Sequence, residues 1–231
     1  MPGKLIVIEG LDGSGKSTQW EMLKKSIVPE HQPLFMTFPN YDSESGKIIN
    51  KYLAGEFGGN NGSGLRENTA YSASSFYAID RYISYKTLWG VEHRAGRNII
   101  SARYTSSNAI YQMTKLPKKE WQSFLDWLYD YEHQKLCIPK PDLTVFLDVP
   151  IEISQELLEK RYKKAETKGK KDIHEGDVGY LKKCREAALF TAERESWMRV
   201  DCVKSGILRT PEDINHQLSG IIRKELQNVR V

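Results

Sequence analysis

The segment Gly10-Leu11-Asp12-Gly13-Ser14-Gly15-Lys16-Ser17 satisfies GxxxxGK[ST] at every fixed position. It follows a short β-branched run, Lys4 to Glu9, and opens a segment of helical composition, Thr18 to Ile27. That strand–loop–helix setting is the one in which such a loop wraps a polyphosphate. Glycines let successive backbone N–H groups turn inward, and the helix start adds positive potential. Lys16 is placed to reach the β- and γ-phosphates, and the Ser17 hydroxyl to hold Mg²⁺. The expected phosphate-binding set is Gly10, Asp12, Gly13, Ser14, Gly15, Lys16, Ser17 and Thr18, and its expected ligand is a nucleoside triphosphate.

Four further β-branched runs, Leu34 to Phe38, Asn98 to Ala102, Leu143 to Asp148 and Met198 to Val203, alternate with longer stretches of helical period. Near-continuous apolar runs such as Thr144-Val145-Phe146-Leu147 are what a strand needs when helices cover both faces of its sheet. The expected architecture is α/β, a five-stranded parallel sheet with helices on both faces, as in P-loop NTPases. Gly55 to Gly64 is a Gly/Asn stretch that cannot stay helical; it reads as a loop rather than a domain boundary. Thr210-Pro211-Glu212-Asp213 carries an N-cap, a first-turn proline and first-turn acids, the signature of a final helix.

With 231 residues, 39% of them hydrophobic, the chain is long enough for a single well-buried core, and residues 1–231 are expected to form one domain. The net charge of +4 is too small to argue for a nucleic-acid or membrane surface. The longest aliphatic run, Leu5 to Ile8, ends at Glu9, far short of the ~20 apolar residues of a membrane span. Cys137, Cys184 and Cys202 have no CxxC spacing and suit reduced thiols, so a cytoplasmic protein is expected, with neither membrane nor nucleic acid as partner.

A P-loop does not distinguish kinases from GTPases or motors, because all share the donor cradle. The acceptor side must decide. Phe38-Pro39-Asn40-Tyr41 follows the second strand, at the sheet edge where open α/β folds place binding residues. Tyr77 and Arg81 stand four apart in a helical segment and so share a face, which suits stacking and hydrogen bonding to a nucleobase. On spacing alone the more ordinary alternative is a core tyrosine and an arginine paired with an acid. After the third strand comes Arg103-Tyr104-Thr105-Ser106-Ser107-Asn108, a turn rich in hydroxyls.

Together, Ile8 to Gln19, Phe38-Pro39-Asn40-Tyr41, Tyr77-Ala78-Ile79-Asp80-Arg81 and Arg103-Tyr104 with Ser107-Asn108 resemble the thymidylate kinase family, in order and over nearly the whole chain. The resemblance implies transfer from ATP to dTMP with Mg²⁺, giving dTDP, by a homodimer. It also implies that Tyr77 stacks on thymine, where the family more often has Phe, and that Arg81 donates to a thymine carbonyl. Arg103 and Tyr41 would hold the phosphate of dTMP, with Phe38, Pro39 and Ser107 beside them. Asp12 would lie near the sugar 3′-hydroxyl, Asn108 would border the base, and Tyr111 would fill the space of a ribose 2′-hydroxyl. The catalytic set implied is Lys16, Arg103, Arg161 and Asp12.

Lys160 to Lys171 concentrates seven basic residues against one acid. Taken as a bare charge run it is a solvated surface; its position resembles the basic LID of nucleoside monophosphate kinases, here about 161–175. Its one arginine, Arg161, would supply the catalytic cation, with Lys163, Lys164, Lys168, Lys170 and Lys171 as helpers. His174 and Glu175 lack a third metal ligand at helical spacing, so no zinc is expected. The cluster Trp121, Phe124, Leu125, Trp127, Leu128 and Tyr131 has helical spacing and reads as core.

One position departs from the family. The pattern before Arg-Tyr is normally Asp-Arg-Tyr, whose Asp helps to hold Mg²⁺, whereas this chain has Ala102. Three outcomes follow: impaired turnover, substitution by another acid such as Asp12 or Asp80, or an introduced change. The rival functions are a deoxynucleoside kinase, which the phosphate-holding pair Arg103 and Tyr41 disfavours, and a nucleotide-binding protein with weakened catalysis.

Overall fold

A computed structural model describes residues 1–57, 68–164 and 177–228, with the side chains of 28–30 and 161–164 also outside the description. Strand β1 (Leu5–Gly10) leads through the phosphate loop into α1 (Lys16–His31), then β2 (Leu34–Thr37), α2 (Glu44–Leu53) and α3 (Ala70–Ser84). A π-helical turn (Tyr85–Trp89) joins α3 to α4 (Gly90–Arg94). There follow β3 (Ile99–Ala102), α5 (Thr105–Tyr111), α6 (Trp121–Tyr129), a second π-helical stretch (Asp130–Lys135) and β4 (Leu143–Asp148). The chain ends with α7 (Ile151–Lys164), α8 (Val178–Arg194), β5 (Met198–Asp201), the short strands β6 (Val203–Lys204) and β7 (Ile207–Leu208), and α9 (Pro211–Gln227).

Five strands form one sheet in the order β2-β3-β1-β4-β5, and every neighbouring pair is parallel. Each residue of β1 is buried, as expected of a central parallel strand. Its alternating side chains divide between two cores. Ile6 and Ile8 join Ile100, Val145, Leu147 and Val200 beneath Trp20, Leu23 and Ile27 of α1 and Leu218 and Ile222 of α9. On the opposite face Leu5 and Val7 meet Ile99, Trp89 and Tyr104, while Phe146 meets Ile110 of α5 and Leu181 of α8. The sheet, its parallel order and its two covered faces agree with the sequence expectation, and this is the P-loop NTPase fold.

The last strand is shorter than its β-branched run. Cys202 N–H bonds the Asp148 carbonyl at 3.0 Å at the sheet edge, after which Val203 turns into an antiparallel pair with Leu208. The final helix starts where its caps predicted, with Thr210 Oγ1 accepting from Asp213 N–H and Pro211 in the first turn. The aromatic cluster is core: Trp121, Phe124, Leu125 and Leu128 are buried, and Trp127 packs against them with Tyr131 stacked on it at 5.3 Å. Among the described residues no helix is long and apolar enough to cross a membrane.

The topology positions the site. β1 and β3 are neighbours, but α1 leaves β1 toward one face and α5 leaves β3 toward the other. Diverging helices open a crevice at the C-terminal ends of these two strands, where open α/β sheets bind ligands. The phosphate loop and Arg103 both emerge there.

Candidate functional site

The donor side is a hollow bordered by Leu11, Asp12, Gly13, Ser14, Gly15, Lys16, Ser17 and Thr18, and across from them by Leu157, Leu158 and Lys160 of α7. Gly13 and Gly15 adopt φ of 79° and 77°, a region costly for a residue with a Cβ. At Gly13 a Cβ would also come within 2.4 Å of the Ser154 carbonyl oxygen. Gly10 contributes its carbonyl, which accepts from Lys16 Nζ at 3.0 Å. Burial, and then the neighbouring charge of Arg103, lower the Lys16 pKa to about 8 against the opposing pull of Asp12 and Glu9.

Every residue expected on the acceptor side borders a second, adjoining cavity: Asp12, Phe38, Pro39, Tyr41, Tyr77, Arg81, Arg103, Ser107, Asn108 and Tyr111. Phe38 and Pro39, joined by a cis peptide bond, form part of its wall. The loop that follows is anchored by Asp80, a buried residue of α3. Its carboxylate accepts from Asn40 N–H at 2.9 Å and from the hydroxyls of Ser45 and Ser43 at 2.7 and 3.2 Å. These contacts hold Asp80 to the acceptor loop, which removes it as a substitute for the carboxylate absent at Ala102.

Arg103 occupies the left-handed backbone region at φ 67°, a conformation that a non-glycine residue holds only when its surroundings impose it. Its N–H bonds the Ile8 carbonyl at 3.1 Å and its own carbonyl accepts from Ser101 Oγ at 2.7 Å. The guanidinium donates to Asp12 Oδ1 at 2.9 Å and lies 4.9 Å over the Tyr111 ring. An arginine so held offers a phosphate a preformed planar fork.

Tyr77 and Arg81 both belong to α3, and the two readings of Arg81 turn out to be compatible. It pairs with an acid, donating from Nε and Nη2 to Glu132 at 2.6 Å each, while still bordering the cavity. Glu132, which stands behind the cavity, and Tyr52, Gln112, Lys115 and Tyr180 of its wall escaped the reading of the sequence, whereas Tyr104, also of the wall, stood there in the Arg103-Tyr104 motif without a role. For Glu9 a signal existed: an acid inside a buried strand requires donors. They are the Ser106 and Ser107 hydroxyls at 2.7 Å each and Tyr104 N–H at 3.3 Å, all from the hydroxyl-rich turn.

Between the two cavities lies a third hollow, bordered by Lys16, Ser17, Trp20, Glu21, Thr37, Phe38, Ala102 and Arg103. Ala102, where the family resemblance leads to the expectation of an Asp, borders this hollow. The expected lid, 161–175, lies outside the described residues except for the backbone of 161–164, which continues α7. This covers the side chains of Arg161, Lys163 and Lys164, and Lys168, Lys170, Lys171, His174 and Glu175 entirely.

Comparison with known proteins agrees with this geometry. The family model for thymidylate kinase matches residues 8–218. A probable thymidylate kinase of Thermococcus gammatolerans is 30% identical over 227 residues, covering 97% of this chain and 98% of that protein. The thymidylate kinase of Mycobacterium tuberculosis is 31% identical over 154 residues, 66% of this chain and 69% of that one. Among solved structures, the thymidylate kinase of Candida albicans superposes with a TM-score of 0.70 at 25% identity, covering 100% of this chain and 96% of that one.

The depressed pKa of Lys16 has a measurable consequence. Above pH 8 the amine of the empty protein is largely neutral, whereas contact with a polyphosphate favours its charged form. ATP binding at about pH 8.5 is therefore expected to take up protons from solution. Calorimetric enthalpies in buffers of different ionisation heat measure the uptake, and Lys16→Met removes it.

Proposed function

The chain belongs to the thymidylate kinase family, and on that footing we propose that it transfers the γ-phosphoryl group of ATP to the phosphate of dTMP, giving ADP and dTDP. The observation that carries this reading is the adjoining pair of cavities, one floored by the phosphate loop and one walled by Arg103, Tyr77 and Arg81, with Asp12 bordering both. A donor and an acceptor seated there face each other directly, so transfer needs no covalent enzyme intermediate, and the protein supplies positioning and charge.

Each side chain has a proposed task. Lys16 neutralises the β- and γ-phosphates of ATP, which the backbone N–H groups from Gly13 to Thr18 surround. Arg103, steadied by Asp12 and Tyr111, grips the phosphate of dTMP together with Tyr41. Tyr77 offers its ring to the base, Arg81 and Asn108 its hydrogen bonds, and Tyr111 occupies the space of a ribose 2′-hydroxyl. Arg161 and its neighbouring lysines form a cationic lid that excludes water from the transferring group. The deoxynucleoside kinase alternative is disfavoured because a 5′-hydroxyl acceptor brings no phosphate for Arg103 and Tyr41 to hold, which leaves Arg103 with Asp12 alone.

The middle hollow suits Mg²⁺ by the chemistry of its donors. Ser17 and Thr37 bring hydroxyls and Glu21, four residues after Ser17 on α1, brings a carboxylate, and hard oxygens are what this ion takes. When bound there it would offset charge on the phosphates. Ala102 supplies no oxygen to this set.

We further propose that the protein works as one domain, in the cytoplasm, where its three free thiols would stay reduced. It is proposed to act as a homodimer. Ile79, Ile83, Leu88 and Val91 are exposed large aliphatics along α3, the π-helical turn and α4, and such a strip favours association.

Three measurements test these proposals. ADP release across thymidine, dTMP and other monophosphates is expected to be substantial with dTMP and absent with thymidine; turnover with thymidine, or binding of dTMP without turnover, overturns the assignment. Restoring a carboxylate with Ala102→Asp is expected to raise kcat by roughly ten- to a hundredfold at saturating substrates and Mg²⁺, with little change in either dissociation constant. Sedimentation velocity is expected to give a dimer that Ile83→Asp converts to monomer.

A further inference from the structure

Glu132 lies on the π-helical stretch after α6 and is fully buried. Each of its oxygens accepts from two donors. Oε1 takes Arg81 Nη2 at 2.6 Å and Asn108 Nδ2 at 3.2 Å; Oε2 takes Arg81 Nε at 2.6 Å and Thr105 Oγ1 at 2.8 Å. Asn108 Nδ2 donates as well to the Ser74 carbonyl at 3.1 Å. Both amide hydrogens of Asn108 are thus spent on acceptors behind the cavity wall. Rotating that amide by 180° would set its oxygen against two other acceptors, so Glu132 locks the orientation, and the carbonyl oxygen is what Asn108 has left for the cavity it borders. Arg81 is held edge-on by the carboxylate and its Nη1 donates to the Tyr104 carbonyl at 3.3 Å. Of its five N–H groups, this leaves hydrogens on Nη1 and Nη2 for the cavity.

We propose that Glu132, which itself does not border the cavity, is the positioning residue that sets base selectivity. The proposal rests on the reading of this cavity as a nucleoside monophosphate site. Glu132 fixes a hydrogen-bond acceptor, Asn108 Oδ1, together with a donor, Arg81. A 3-NH, 4-oxo pyrimidine carries a donor beside an acceptor and complements that pair. A 4-amino pyrimidine carries an acceptor at N3 beside an amino donor and meets both wall groups with the wrong polarity. Rejecting it requires that the amide cannot turn over, and the negative charge of Glu132 provides that. With Gln at this position the side chain can donate as well as accept, so one of the two obligate acceptors is lost and the Ser74 carbonyl alone is left to orient the Asn108 amide. A carboxylate present only to neutralise Arg81 would have no bearing on which base binds.

The test compares dissociation constants of dTMP and dCMP, by calorimetry, for the unchanged protein, Glu132→Gln and Glu132→Asp. The unchanged protein is expected to favour dTMP. Glu132→Gln is expected to lower the dTMP/dCMP preference at least tenfold, with dTMP weakened and dCMP unchanged or tightened. Glu132→Asp keeps the charge but withdraws it by one carbon, and should lower the preference about threefold; it carries the test alone should Glu132→Gln not fold. Variants that weaken both nucleotides by the same factor, or leave the preference unchanged, overturn the role of Glu132 while the acceptor site stands. Binding of neither nucleotide by the unchanged protein overturns the acceptor site and this proposal with it.

Discussion

The carboxylate of Glu9 ties the two halves of the crevice together. It sits in the middle strand of the sheet, fully buried, and collects donors from the start of α5: two serine hydroxyls and a backbone N–H. All three reach Oε1 and offset part of the water lost on burial, while Oε2 has no hydrogen-bond partner among the described residues. Two residues before the donors in sequence, β3 ends, and between them Arg103 is turned into its left-handed conformation. One residue after Glu9, the phosphate loop begins. The contact therefore sets the spacing between the loop that would hold a donor and the arginine that would hold an acceptor.

The same logic recurs further out. Asp80 gathers the loop after β2, and Glu132 gathers α3 and α5 around the base end of the cavity. Each of these acids is buried, and each joins an element to one far away in sequence. Removing one partner from such an arrangement leaves an uncompensated polar group and costs about 3–5 kcal/mol where the group is charged. The cavity wall is thus backed by buried carboxylates that do not themselves line it, while the groups facing the interior are mostly aromatic rings, amides and guanidinium groups.

Much of this was legible in the chain. Five β-branched runs at the right intervals, with a phosphate loop after the first, specify the sheet because a buried parallel strand leaves a continuous apolar signature. The acceptor residues were legible only as a set. Tyr77 and Arg81 by spacing alone are ordinary, and their meaning comes from the company of Arg103, Asn108 and Tyr111. Glu132 was not legible, since its π-helical surroundings have no sequence pattern and its partners lie 24 to 51 positions away. Glu9 was readable in principle, as an acid interrupting an aliphatic run. The fifth strand is shorter than its β-branched run because that run continues into a hairpin that leaves the sheet, a change of partner that composition does not record.

Asp12 borders both cavities and is paired with Arg103. In the proposed reaction an incoming phosphate competes with Asp12 for that guanidinium. Once Arg103 redistributes its bonds, Asp12 is freed to reorganise on the other side, beside Lys16. The two substrates then communicate through one ion pair. Thermodynamic reciprocity requires that whatever factor the first imposes on the affinity of the second, the second imposes on the first. A single carboxylate shared by two walls is thereby where the affinity of each substrate comes to depend on the presence of the other, by the same factor whichever arrives first.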